Sequence, residues 1–213
     1  SYAYPTVVGY KNNVGIGYKF KFQDPMGFKN LDFSLSYTPD GWKNSINDDG
    51  RTLRDDEKWH ASFNYRTAVM GGILPGIYNF YASYNKADFY DLFGPTKRSR
   101  KGLNFGVSIN KSLFSDVPKS LDLNLGFMGY YGLNQSPEFQ QINFENKDFN
   151  TNLFYNLSTS FVYRNLRGST GAVDAEKGIK STLSISSAYT EGNLFPKLQG
   201  TLDLGFQLPI DHT

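Results

Sequence analysis

Apolar and polar side chains alternate along most of this chain with a period of two residues. Residues 14–23 read VGIGYKFKFQ, in which every second residue is apolar and the residues between them are Gly, Lys or Gln. This period is typical of β-strands with one apolar and one polar face, and no stretch longer than a turn repeats every 3.6 residues as a helix would. About nine segments carry the strand pattern, namely 14–23, 31–38, 59–66, 78–84, 103–110, 121–127, 152–164, 179–189 and 198–208. The sequence therefore predicts an all-β chain.

The links between the predicted strands fall into two classes. Short links rich in Gly, Pro or Asp span 24–30, 70–76 and 114–120. Long polar links, predicted to be loops, span 38–57, 85–101 and 132–148. The two classes alternate until 165–177, a link of intermediate length where a short one is expected. Short turns on one side of a sheet and long loops on the other are typical of outer-membrane β-barrels.

The composition narrows the class of protein. The 213 residues carry 22 basic and 20 acidic side chains, a net charge of +2, so no overall charge draws the chain to nucleic acid. There are no cysteines, which excludes disulfides and thiolate metal sites. Aromatic residues make up 16% of the chain, yet the mean hydropathy is −0.47 and no apolar run approaches the roughly 18 residues of a spanning helix.

These features together predict an antiparallel transmembrane β-barrel. Lipid requires every backbone polar group to pair within the sheet, and a tilted spanning strand needs about 9–11 residues. The apolar faces are expected to contact lipid. The polar faces are expected to line the interior; they include the charged residues Lys19, Lys21, Asp32, Asp122, Arg164 and Asp203. A soluble β-sandwich or barrel accounts for the alternation equally well, but less well for the alternating link lengths.

We expect residues 1–213 to form a single β-barrel domain, with 1–13 as a leading segment. Bacterial barrels have even strand numbers, so about nine strands predict an incomplete barrel. Both ends of the sequence are abrupt. We therefore expect a longer parent protein, or partner chains, to supply the missing strands.

Few residues suggest chemistry, and the sequence predicts a non-enzymatic protein without metal or cofactor. Loop 38–57 is rich in acidic residues such as Asp48 and Asp49. A calcium loop needs acidic ligands at fixed alternate positions, and only Asn47, Asp49 and Gly50 are loosely compatible with that pattern. We interpret this loop as solvated, with internal ion pairs. His60 and His212 are the only histidines. His60 falls on a polar face, where we expect a hydrogen-bonded, interior side chain rather than a catalytic base.

The long link 85–101 combines rings and cations in the stretch ADFYDLFGPTKRSRKG. Phe89, Tyr90 and Phe93 follow a strand end, where the aromatic belt of a barrel contacts the lipid interface. The cations that follow are Lys97, Arg98, Arg100 and Lys101. They are expected at the level of the lipid phosphates, which makes outer-membrane lipid the predicted partner. The alternative is a tucked soluble loop with a solvated cationic tip. Binding of nucleic acid is not expected, because the chain has no second basic stripe.

Two stretches resemble a known family. ADFYDLFGPTKRSRKG with the following GLNFGVSIN, and NLFPKLQGTLDLGFQLPIDHT, resemble the carboxy-terminal barrel of bacterial surface-antigen or outer-membrane-assembly-factor-like proteins, in which a Tol-like β-propeller precedes the barrel. The resemblance covers about residues 58–213 and implies a Gram-negative outer-membrane location, with outer-membrane or periplasmic proteins as partners. Assembly factors of this kind carry an Arg-Gly-aromatic motif. The nearest stretch here, residues 166–169, lacks the aromatic residue, so that role is not assigned to Arg167.

Three functions therefore remain open. The first is an outer-membrane barrel that serves as a membrane anchor or as a platform for protein assembly or secretion. The second is a passive pore or transporter for small polar solutes. The third is a soluble β-sandwich that binds carbohydrate or protein through its long loops.

Overall fold

The computed structural model describes residues 1–42, 53–72, 74–93, 99–134, 150–168, 177–190 and 192–206. The described residues form ten β-strands and two 3₁₀ turns. The strands are β1 (Tyr2–Tyr10), β2 (Asn13–Gln23), β3 (Lys29–Tyr37), β4 (Trp59–Val69), β5 (Gly76–Lys86), β6 (Arg100–Asp116), β7 (Lys119–Asn134), β8 (Asn150–Arg167), β9 (Lys177–Thr190) and β10 (Asn193–Gly205). The 3₁₀ turns are η1 (Asp55–Glu57) and η2 (Phe89–Leu92).

All ten strands belong to one antiparallel sheet in which each strand pairs with its neighbours in sequence. The predicted all-β, antiparallel class is confirmed. Among the described residues β1 and β10 do not pair with each other, so the sheet is open along these two strands.

The register brings the apolar residues of neighbouring strands together on one face. Phe33 of β3 lies opposite Phe20 of β2 and Phe63 of β4. The opposite face is polar. There Ser34 lies opposite Ser62, and their hydroxyl oxygens are 2.6 Å apart. A slip of one residue would exchange the two faces, so the alternation in the sequence specifies this register.

The structure has one strand more than the roughly nine that the sequence predicted. The additional strand is β1, which lies within the predicted leading segment 1–13. Its sequence, YAYPTVVGY, does not alternate cleanly and contains Pro5. Proline lacks the N–H that a central strand must donate, but an edge strand tolerates it. β1 is such an edge strand, paired only with β2 over its whole length.

The links agree in part with the predicted alternation. Long links join β3 to β4, β5 to β6 and β7 to β8 at one end of the sheet, which we call the long-loop end. At the same end β2 begins three residues after the end of β1, and β10 begins three residues after the end of β9, so the alternation does not extend to the first and last strand pairs. The opposite end, with links such as 117–118, is the short-link end.

The sheet curls strongly at the long-loop end. Gly9 of β1 and Asp88, just after β5, exchange two backbone hydrogen bonds of 3.1 and 3.0 Å. Four strand spacings separate β1 from β5, about 19 Å in a flat sheet. Asp88 follows the last residue of β5 by two positions and reaches at most about 7 Å beyond it. A flat sheet cannot make this contact, so the strands from β1 to β5 must curve toward each other.

The polar face is the concave side of this curl. The rings of Tyr10 on β1 and His60 on β4 have centroids 4.5 Å apart, although two strands lie between them in the sheet. His60 lies opposite Ser36, on the face that carries Ser34 and Ser62. Side chains from separated strands meet only inside a curve, so the apolar face is convex.

Burial in the described residues is inverted relative to an ordinary soluble domain. Tyr10, Leu53 and Leu92 are the buried apolar residues, and the larger buried set is polar: Asn13, Ser36, Thr38, Glu57, His60, Ser83, Asn85, Asp91 and Ser99. On the convex face Trp59 is 52% exposed and Leu157 is 59% exposed. The described strands therefore enclose polar groups and present apolar side chains to the surroundings.

Candidate functional site

The stretch ADFYDLFGPTKRSRKG begins in a loop that several hydrogen bonds hold in place. The side chain of Asp88 accepts a 2.9 Å hydrogen bond from the backbone N–H of Tyr90, which caps η2. Asp91 is fully buried and its Oδ2 accepts a 2.8 Å bond from the backbone N–H of Ser99. Together with the Gly9 contact, these bonds hold the loop against β1.

The three predicted rings lie on the outer side of η2. Because Asp91 and Leu92 point inward and are buried, Phe89, Tyr90 and Phe93 point outward and are 50%, 64% and 62% exposed. Phe89 contacts both other rings, with centroid distances of 6.0 Å to Tyr90 and 5.3 Å to Phe93. We call these three residues the ring cluster. The structure brings them together at the surface.

Of the four cations predicted beside the rings, the structure describes Arg100 and Lys101. Lys97 and Arg98 lie outside the described residues. Arg100 is exposed. Lys101 is largely buried, and its Nζ lies 2.9 Å from Asp56 Oδ2 and 3.7 Å from Glu57 Oε1. Lys101 was predicted at the level of the lipid phosphates. In the structure β6 begins at Arg100, and Lys101 lies beside η1, where it is paired with carboxylates.

The described part of loop 38–57 carries several ion pairs. One of them, between Arg54 Nε and Asp56 Oδ1 at 3.3 Å, is internal to the loop as predicted, and the others reach residues outside it. Glu57 pairs with Lys11 at the β1–β2 turn, in addition to Lys101. Lys58 Nζ lies 2.7 Å from a carboxylate oxygen of each of Asp40 and Asp55. Asp48, Asp49 and Gly50, considered above for calcium, lie outside the described residues.

The charges of these groups are stabilised by their partners. Burial alone would raise the pKa of Glu57, but the hydrogen bond and positive charge of Lys11 more than offset it and lower that pKa. The hydrogen bond from Lys101 lowers the pKa of Asp56. Hydrogen bonds to Asp40 and Asp55 raise the pKa of Lys58. All three groups are therefore ionised at neutral pH.

His60 lies among the buried polar residues of the concave face. Its predicted hydrogen-bonded, interior position is confirmed. Its Nδ1 lies 2.8 Å from the backbone carbonyl oxygen of Asn85, and its Nε2 lies 2.8 Å from Thr38 Oγ1. A carbonyl can only accept, so Nδ1 carries the proton and, in the neutral ring, Nε2 accepts from the Thr38 hydroxyl. Both nitrogens are used in holding β3, β4 and β5 together.

Asn85 is a residue of this site that the sequence analysis missed. Its side-chain nitrogen donates to the carbonyl oxygens of Asp56 (2.6 Å) and Trp59 (3.2 Å), and its side-chain oxygen accepts from the N–H of Gly102 (2.9 Å). Its φ of 43° lies in the left-handed region, which Asn tolerates better than most residues. An Asn directly after an alternating strand was the available signal.

We call Tyr10, Thr38, Glu57, His60 and Asn85 the cap cluster. All five are buried, and they join β1, β3, η1, β4 and β5 on the concave side at the long-loop end. Hydrogen bonds, an ion pair between Glu57 and Lys11, and the contact between the rings of Tyr10 and His60 hold this end of the curled strands together.

Comparison with known proteins found no family model, no curated protein and no solved structure that matches the chain. Within the described residues, no helix has the length and apolar character required to cross a membrane.

Proposed function

We propose that this chain forms all or part of a β-barrel in the outer membrane of a Gram-negative bacterium. We further propose that it acts, without enzymatic activity, as a membrane anchor or as a platform for protein assembly or secretion. One observation carries the proposal: the convex face of a curled antiparallel sheet is apolar and exposed, while the concave face is polar.

Water is an unfavourable environment for such a convex face. Burying one large apolar side chain is worth about 1.5–3 kcal/mol, and soluble monomers rarely expose apolar patches larger than a few hundred Å². Here exposed apolar residues recur from β2 to β10, including Ile16, Leu35, Leu157 and Leu198. Lipid supplies the apolar environment, and antiparallel pairing satisfies the strand backbone within it.

Strand length supports the same proposal. β2, β4 and β5 each have 11 residues, against the roughly 9–11 that a tilted strand needs to span the hydrocarbon core. At the long-loop end of the convex face, the rings of Tyr37 and Trp59 pack with centroids 4.9 Å apart. Aromatic residues at this level are typical of the membrane interface.

Lipid is the proposed partner of the ring cluster, whose three rings are exposed and held in place by the anchored loop. Arg100 is exposed and is a proposed contact for lipid head groups, as are Lys97 and Arg98 from the sequence. The assembly or secretion role rests on the resemblance to surface-antigen-like barrels, which also supports outer-membrane or periplasmic proteins as partners.

The other two functions have less support. A passive pore would use the polar concave face, but the cap cluster occupies that face at the long-loop end of β1 to β5. A β-sandwich packs the apolar faces of two sheets together. The ten strands of the described chain belong to one sheet.

The test is the behaviour of the chain in detergent and in buffer. We expect it to fractionate with membranes and to need detergent or lipid to remain monodisperse. If the purified chain is folded and monodisperse in buffer without detergent, the proposal is wrong, and the exposed face must be covered in another way.

A further inference from the structure

A cavity of about 450 Å³ lies on the concave face near the short-link end, away from the cap cluster. It is formed by two rows of the sheet. One row runs across Lys21, Asp32 and Asn64, and the next across Gln23, Asn30, Arg66 and Asn79. Tyr2, at the start of the edge strand β1, completes the wall. The volume is within the range of small-molecule sites, about 300–1,000 Å³.

Three charged side chains line this cavity without neutralising one another. Within the described chain, Lys21, Asp32 and Arg66 form no ion pair at 4.0 Å or less. This is unexpected for Lys21 and Asp32, which occupy directly opposed positions on β2 and β3.

A second Asp and Arg occupy the same relative positions elsewhere in the sheet. Comparison with them shows whether the backbone keeps Asp32 and Arg66 apart. Asp32 lies opposite Asn64, and Arg66 follows two residues later. Asp122 lies opposite Val162, and Arg164 again follows two residues later. The diagonal geometry is the same, yet Asp122 and Arg164 form an ion pair and Asp32 and Arg66 do not. The backbone therefore permits the pair, and at Asp32 and Arg66 the two charges instead face a cavity.

We propose that this cavity binds a small polyhydroxylated anion, such as a sugar acid. The guanidinium of Arg66 matches a carboxylate in a two-point contact, and Lys21 adds a second positive charge. With Asp32 the wall has a net charge of +1, which favours a monoanion. Asp32 accepts hydrogen bonds from hydroxyls, and side-chain amides such as those of Asn64 and Asn79 can both donate and accept.

Tyr2 supplies the remaining feature of such a site. Its ring is 60% exposed and is stacked against Tyr4, with centroids 6.0 Å apart. A fixed, exposed ring at the wall of a polar cavity offers a surface for the apolar face of a sugar ring. The inference rests on the concave polar face and not on membrane insertion, so it can fail or succeed separately from the proposed function.

The experiment is calorimetric titration of the whole chain, in detergent or in buffer as its solubility requires, with three probes. Glucuronate carries a carboxylate and hydroxyls, glucose carries hydroxyls alone, and acetate carries a carboxylate alone. We expect measurable binding of glucuronate and much weaker binding of the other two. Equal affinity for glucose would overturn the role of the charges, equal affinity for acetate would reduce the site to a simple anion site, and no binding of glucuronate would overturn the proposal.

Two variants and a control assign the binding to this cavity. Arg66→Gln removes one charge-assisted contact and is expected to weaken glucuronate binding about tenfold. Lys21→Gln makes the same test independently, should the first variant not fold. Lys19→Gln removes the same charge from the same strand and face two positions away. Because Lys19 does not line the cavity and salt screens charges at a distance, the affinity of this variant for glucuronate should stay within about twofold of wild type. An unchanged affinity in both cavity variants would contradict the assignment.

Discussion

Glu57 is the residue at which burial and charge conflict most directly. Its side chain is 8% exposed and is held between Lys11 and Lys101. A buried carboxylate without a partner would protonate, so the two ammonium groups account for its ionised state. The charge of this one residue thereby links the β1–β2 turn, η1 and the start of β6.

We expect the stability of the chain to fall in acid because of Glu57. Its pKa in the folded chain is below the ordinary 4.5. The contribution of Glu57 to the free energy of unfolding is complete above this ordinary pKa. It is lost as the pH falls through the lower pKa of the folded chain. Glu57→Gln should therefore lower the free energy of unfolding at pH 7, by about 1.5–3 kcal/mol, and should flatten its dependence on pH below 4.5. Urea unfolding in micelles across this pH range is the measurement. Asp55→Asn is the control, since Asp55 is 97% exposed and should change little. If the free energy of unfolding of the Glu57 variant falls in acid as steeply as that of the wild type, this role is contradicted.

Single residues were predictable where their environment depends on the alternation alone. His60 occupies the second residue of an alternating strand, so its position on the polar face followed from the sequence. Lys101 was not predictable, because its partner Asp56 is 45 residues away along the chain and meets it only in the folded sheet. The turns that place such residues leave little trace in a periodic pattern.

At the scale of elements, η2 determines which way the rings point. One turn that buries Asp91 and Leu92 must expose its neighbours, and the bond from Ser99 to Asp91 fixes this orientation. The sequence predicted that the rings lie in a link between two strands, and in the structure they lie between β5 and β6. It did not predict the turn, because a four-residue 3₁₀ turn has no periodicity to detect.

Replacing the ring cluster with serine should destabilise the chain in lipid. The triple variant of Phe89, Tyr90 and Phe93 loses apolar contact worth at most about 1.5–3 kcal/mol per ring, and less here because the rings partly cover one another. Urea unfolding in lipid vesicles measures the loss. The control replaces Tyr2 and Tyr4, two stacked rings on the concave face, with serine. If the triple variant loses no more unfolding free energy per ring than the control, the ring cluster does not contact lipid.

At the scale of the whole molecule, the alternation specified nine of the ten strands and both faces, but not the curl. β1 was missed because Pro5 and its mixed faces obscure the period. The direction of the curl depends on contacts between distant strands, such as Tyr10 with His60, which no local pattern encodes. Those contacts decide that the polar face lies inside, and the proposed membrane location depends on that fact.

The most direct test of the central claim is to measure what each face of the sheet touches. The chain has no cysteine, so single cysteines can carry a spin label without background. Adjacent residues sample opposite faces: Ser62 and Phe63 on β4, and Leu157 and Ser158 on β8. In lipid nanodiscs we expect labels at Phe63 and Leu157 to collide mainly with oxygen, which concentrates in the bilayer. Labels at Ser62 and Ser158 should be shielded from the bilayer and collide less with oxygen. If the labels at Phe63 and Leu157 instead collide mainly with a water-soluble nickel complex, the apolar face does not contact lipid and the membrane proposal fails.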